Sequence, residues 1–106
     1  MIRAEVRRRG GRIVRLHVRG HAGTAPYGED LVCAAVSAVV QTAALGLARL
    51  DAGAGPARVR DGDLLWQGES GEAGQIILET CVLGLEDIAE SYPGAIALVV
   101  KEDETP

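Results

Sequence analysis

Phenylalanine is absent from this 106-residue chain, and one tryptophan and two tyrosines are its only aromatic residues. A core must therefore be filled mainly by Ala, Val, Leu and Ile. The hydrophobic set as a whole reaches 47%, enough for one small domain over residues 1–106, with oligomerisation as a source of further burial. There are two cysteines, Cys33 and Cys81, and no C-x-x-C pair, which excludes a disulfide framework and a dithiol redox centre. Histidine is equally scarce. His21, Asp30 and Cys33 are too few to bind a metal, so no metal and no other cofactor is expected. The run G-H-A-G-T-A-P-Y-G lacks the lysine and spacing of a phosphate loop. The start is arginine-rich and alternating, not continuously apolar, so no signal peptide is read and a reducing, cytoplasmic location is expected. Repeats, linkers and low-complexity tracts are also missing.

What is present begins with charge. The net value of -4 hides an asymmetry: residues 1–19 carry seven arginines against Glu5, while the rest carries four basic and fourteen acidic residues. Ile2, Ala4 and Val6 alternate with Arg3, Glu5 and Arg7. Val14, Leu16 and Val18 alternate with Arg15, His17 and Arg19. Gly10-Gly11 separates the two runs, which predicts a β-hairpin with one apolar and one basic face. The basic face suits RNA, but no aromatic residue interleaves with the arginines to stack on bases. A solvated strand face that resists edge aggregation is the preferred reading, and direct nucleic-acid binding is not expected. His17 falls on this face and is read as exposed.

Residues 31–48 carry no charge and approach membrane-spanning length. Six alanines, Gly46, Ser37, Gln41 and Thr42 dilute them, so a buried helix over residues 31–50, not a membrane span, is expected. A helix apolar on nearly all sides needs cover on nearly all sides. Gln41 is expected to satisfy a buried polar group. Residues 57–60 and 64–67, around Asp61-Gly62-Asp63, predict a second hairpin with Trp66 as a core or dimer-interface anchor. Residues 72–91 predict an amphipathic helix, its apolar stripe formed by Ile76, Ile77, Thr80, Leu83, Gly84 and Ile88. Residues 95–100 are nearly all apolar and read as a strand central in the sheet. The order β-β-α-β-β-α-β implies an α+β two-layer sandwich, a mixed or antiparallel sheet with two helices.

One stretch carries chemistry. His21 lies in a glycine-flanked turn, and Cys33 follows twelve positions later near the start of an apolar, alanine-rich segment. With Asp30 as N-cap, Cys33 is the third helical residue, close to unpaired N–H groups and the positive end of the helix dipole, which favour thiolate. Such a nucleophile needs a base, and a loop holding Gly23, Pro26 and Gly28 can fold His21 back over the helix start. The unpaired N–H groups would also serve as an oxyanion hole. Gly23 and Gly28 are candidate hinges of a flap over residues 22–29, and Tyr27 a candidate substrate contact. Ser37, four residues after Cys33, either lines the floor of the site or bonds back to the Cys33 carbonyl. Cys81, in mid-helix, reads as a small core residue.

The residues G-H-A, a glycine-containing loop, and G-E-D-L-V-C-A-A-V-S resemble the ribosomal-processing cysteine protease Prp family. The match is dense over residues 20–41, with the same histidine-to-cysteine spacing. The resemblance implies a small bacterial endopeptidase, homodimeric, that removes a short N-terminal extension from a large-subunit ribosomal protein. By position it implies His21 as catalytic histidine and Cys33 as nucleophile, with Asp30 and Ser37 at further motif positions. The competing class is a non-enzymatic ribosome- or RNA-associated module using the basic hairpin.

Overall fold

The computed structural model describes residues 1–20 and 27–103, with backbone alone for residues 27–30. Strands β1 (Ile2–Arg9) and β2 (Arg12–Arg19) are followed by helix α1 (Tyr27–Leu50) and a short 3-10 turn, Ala52–Ala54. Strands β3 (Arg58–Arg60) and β4 (Asp63–Gln67), helix α2 (Glu72–Ser91) and strand β5 (Ile96–Glu102) complete the order. This is the predicted β-β-α-β-β-α-β succession. The five strands form one sheet in the order β3-β4-β2-β1-β5. It is mixed: β1 pairs parallel with β5, and the other pairs are antiparallel.

Gly10 and Gly11 both take positive φ, 58° and 79°, the backbone that a tight two-residue hairpin turn demands and that glycine adopts without strain. A bulge then breaks the alternation. Arg7 faces Arg15, but Arg8 faces Ile13, leaving Val14 as the extra residue. Parity in β2 therefore reverses: Ile13 is fully buried and Val14 is not. The Arg8 guanidinium, opposite Ile13, reaches α2 and donates to both Glu79 carboxylate oxygens at 3.1 and 2.7 Å.

Beyond the end of β4 the outward N–H and C=O of Ile13 have no strand to pair with. Gln75 of α2 takes the strand's place: its Oε1 accepts from Ile13 N–H and its Nε2 donates to Ile13 C=O, each at 2.8 Å. Burial makes this clamp matter, because an unpaired buried backbone group costs about 1–3 kcal/mol. Gln75→Leu leaves both groups unpaired and should lower thermal stability by about 2 kcal/mol or more. An unchanged melting temperature would show that water replaces the amide.

The core lies between the sheet and the two helices. Ile2, Ala4, Val6, Leu16, Val18, Leu64 and Trp66 come from the sheet, and Val32, Val36, Val40, Ala43 and Leu47 from α1. Trp66 is 1% exposed and its indole N–H donates to the Ala54 carbonyl at 3.0 Å. The period of four along α1 buries a single stripe. Leu31, Leu45 and Leu50 remain exposed within one copy of the chain. By length and composition Leu31–Leu50 is apolar enough to cross a membrane, but that buried stripe packs on the sheet.

Four expectations are corrected. Among the described residues, strand β5 is an edge strand, paired with β1 alone, and Val99 and Val100 are exposed. An apolar run identifies a strand but not its neighbours. In α2 the buried side chains are Gln75, Leu78, Cys81, Val82 and Leu85, whereas Ile76 and Leu83 are exposed. The helix carries two apolar stripes, and the sheet takes the one containing Leu78 and Leu85. The other borders α1, where Gly46 sits beside Ile77 and Gly84 beside Val39, each close enough that a Cβ would meet the neighbour at 3.3 Å. Gln41 is exposed, not a buried satisfier; that role belongs to Gln75. Finally, α1 begins at Tyr27, so Asp30 lies inside it and is not its N-cap. Gly28 costs a helix only about 1 kcal/mol, which does not stop it. The flap expected over residues 22–29 thus shares 27–29 with the helix, and the remainder lies outside the described residues.

Candidate active site

A cleft of about 200 Å³ opens where β2 leaves the sheet. Cys33, Val36, Ser37, Val40 and Gln41 line it from α1, Arg19 and Gly20 from the end of β2, and residues 59–64 from the β3–β4 hairpin. The antiparallel pairing of β4 with β2 brings that hairpin turn beside the end of β2: Arg19 faces Asp63, and Gly20 N–H donates to Gly62 C=O at 3.0 Å. Gly20 has φ of 107°, and a Cβ there would come within 2.6 Å of the Met1 carbonyl. Only glycine fits this exit, so the chain leaves β2 at a defined point on the cleft, one residue before His21.

His21 and Gly23 themselves lie outside the described residues. For Tyr27, Gly28 and Asp30 only the helical backbone is described. Of the predicted site residues, the structure brings Cys33 and Ser37 together on one wall. Cys33 is half-buried and packs against the core. The Ser37 hydroxyl accepts a hydrogen bond from the Gln41 amide at 2.7 Å, so Gln41 is a cleft residue that braces Ser37.

Counting from Tyr27, Cys33 is the seventh residue of α1 and not the third. The four unpaired N–H groups belong to residues 27–30, and the dipole effect fades within the first turn. The oxyanion hole expected beside Cys33 at a helix start is therefore not supplied there, because the N–H of a seventh residue is committed within the helix.

Cys81 differs in every respect. It is 4% exposed on the buried stripe of α2, and burial pushes its thiol up to about 11. His17 is also corrected: its side chain is 15% exposed, and its Nε2 lies 2.7 Å from Asp63 Oδ1. Asp63 Oδ2 accepts from Arg58 Nη2 at 2.8 Å. The hydrogen bond with His17 first, then the Arg58 charge, holds the Asp63 carboxyl below its usual value. His17, Asp63 and Arg58 thereby tie β2, β4 and β3 together beside the cleft. Alternation placed His17 on the polar face correctly but could not show that Asp63 shields it from the neighbouring strand.

Five of the seven hairpin arginines meet a carboxylate among the described residues, Arg7 and Arg15 sharing Glu5 with Lys101. Arg7 and Arg15 lie 3.7 and 3.5 Å from Glu5, Arg8 meets Glu79 at 2.7 Å, Arg9 meets Asp103 at 2.7 Å and Arg12 meets Glu72 at 2.9 Å.

Comparison with known proteins adds to this geometry. A family model described as cysteine protease Prp matches residues 1–97, a span that includes both His21 and Cys33. No curated protein matches the chain. Among solved structures, SMU.848 from Streptococcus mutans is similar at 27% identity with a TM-score of 0.79, over 97% of this chain and 96% of that one. The essential ribosomal processing protease Prp from S. aureus, in complex with a substrate peptide, is similar at 26% identity and a TM-score of 0.79, over 95% of this chain and 100% of that one. The same S. aureus protease with a covalently linked product peptide gives 27% identity and a TM-score of 0.77, with 95% and 100% covered.

Proposed function

Because the chain belongs to the cysteine protease Prp family, we propose that it removes the short N-terminal extension of a large-subunit ribosomal protein, with Cys33 and His21 as a catalytic dyad. The observation that supports this reading is the half-buried Cys33 thiol on the wall of a cleft that is also lined by Gly20, the residue before His21 in sequence. The S. aureus relative was crystallised with a substrate peptide and with a covalently linked product peptide, which fits nucleophilic catalysis on a peptide.

In this mechanism His21 takes the Cys33 proton and the thiolate attacks the scissile carbonyl. The carbon–nitrogen bond breaks as the imidazolium protonates the leaving amine, and a thioester remains on Cys33. Water, deprotonated by His21, then releases the second product and restores the thiol. Asp30 and Ser37 are proposed as supporting residues, and Gly23, Tyr27 and Gly28 as parts of the substrate-facing segment. No cofactor takes part.

We place the enzyme in the cytoplasm, away from membranes, as a bacterial homodimer. The exposed Leu31, Leu45, Ile76 and Leu83 of the helical layer support association between copies. The internal ion pairs of the hairpin arginines weigh against the RNA-module reading. Incubating the purified protein with the unprocessed ribosomal protein and recording intact masses tests the proposal. A single cut near the N-terminus is expected; an untouched precursor would overturn it.

A further inference from the structure

Strand β3 is an edge of the sheet beside the cleft. Among the described residues it pairs with β4 alone, and all three of its residues are exposed. Arg60 and Asp63 flank a two-residue turn and are register partners, so they exchange the hairpin's terminal pair of hydrogen bonds. Pairing alternates along an antiparallel ladder. The N–H and C=O of Val59 therefore point away from β4, toward a side that no strand among the described residues occupies. The Val59 side chain shares a face with its partner Leu64, which is buried in the core beside Val18. It thus turns toward the helical layer and lines the cleft together with Cys33, Val36 and Val40, yet 49% of it is exposed.

A protease holds its substrate extended so that the scissile carbonyl is reachable, and an extended peptide adds naturally to an open sheet edge. Here that edge and the nucleophile border one cleft. Resting on the reading of Cys33 as nucleophile, we propose that the substrate peptide docks as an added strand on β3. It exchanges main-chain hydrogen bonds with Val59 and turns an apolar side chain toward Val36, Val40 and Val59. The turn that carries this edge is anchored by the Gly20–Gly62 hydrogen bond and by Asp63 with Arg58 and His17, so the docking strand is prepositioned. Specificity would then lie in one apolar position, while most of the contact is sequence-independent backbone pairing.

Val59→Pro removes the outward N–H but keeps an edge-compatible backbone, since proline is tolerated where the N–H faces away from the sheet. Its probe is a fluorogenic peptide spanning the N-terminal extension of the source organism's own ribosomal protein. KM should rise about tenfold, as expected for a lost hydrogen bond of about 1.4 kcal/mol, with kcat and the iodoacetamide rate of Cys33 unchanged. N-methylation of successive amides of that peptide, assayed with the wild-type enzyme, needs no folded variant. One alternating set of positions should lose about threefold to tenfold in kcat/KM while its neighbours lose little. Unchanged KM in Val59→Pro, or an N-methyl profile without alternation, overturns the docking strand while wild-type cleavage upholds the protease. A wild-type enzyme that leaves the peptide uncut overturns the protease reading itself.

Discussion

Cys33→Ala should reduce peptide cleavage on the order of 10³-fold or more, because the reaction loses its nucleophile and retains only binding. His21→Ala should cost about 10²–10⁴-fold, the usual contribution of a positioned acid–base group. The helix start gives a reason to place the histidine effect high in that range. With Cys33 seven residues into α1, the field of the first turn contributes little to thiolate formation, so in the proposed dyad His21 would carry the activation. Thermal stability should stay close to wild type in Cys33→Ala, since alanine suits a helix interior and the cysteine is only half-buried. Cleavage assays beside melting curves check both halves. Substantial turnover by either variant would remove the dyad.

The second large effect contrasts the two cysteines. Burial holds the Cys81 thiol near 11, against about 8.5 for a free thiol, which alone leaves about 300-fold less thiolate near neutral pH. Its 4% exposure slows reagent access further. Limiting iodoacetamide should therefore label Cys33 at least about 100-fold faster than Cys81. The sign of the pH dependence follows: burial disfavours the charged form, so Cys81 labelling should keep rising toward about 11. His21→Ala should slow Cys33 and leave Cys81 unchanged. Equal rates for the two cysteines would mean that α1 presents an ordinary surface thiol.

Much of this fold was legible in the residues, and for physical reasons. Period-2 alternation around Gly10-Gly11, the D-G-D turn before Trp66 and two long helical segments gave every element in order. The errors lie where tertiary contacts choose between locally equal options. Two apolar stripes run along α2, and only packing decides that Leu78 and Leu85 face the sheet while Ile76 and Leu83 face outward. Residues 95–100 look like a central strand because hydropathy is blind to pairing, yet β5 ends on an edge. The bulge at Arg7 and Arg8 leaves no signature beyond an arginine where alternation demands an apolar residue, and its consequence, Gln75 clamping Ile13, spans sixty residues of chain. Asp51 is similar: it follows α1 directly, but its carboxylate accepts from Gly71 and Gly74 N–H at 2.8 and 2.9 Å at the start of α2. In the site, the spacing of His21 and Cys33 was visible at once. The walls contributed by Val59, Arg60 and Asp63 were not, because the β2–β4 pairing alone brings them there.

The central claim is that peptide cleavage passes through the sulfur of Cys33. Its most direct test is acid quenching during turnover of the precursor peptide, followed by mass mapping of the enzyme. A thioester carrying the N-terminal product fragment is expected on the segment containing Cys33, absent from Cys33→Ala and never on Cys81. Sustained cleavage with an adduct on Cys81, or cleavage undiminished in Cys33→Ala, would contradict it.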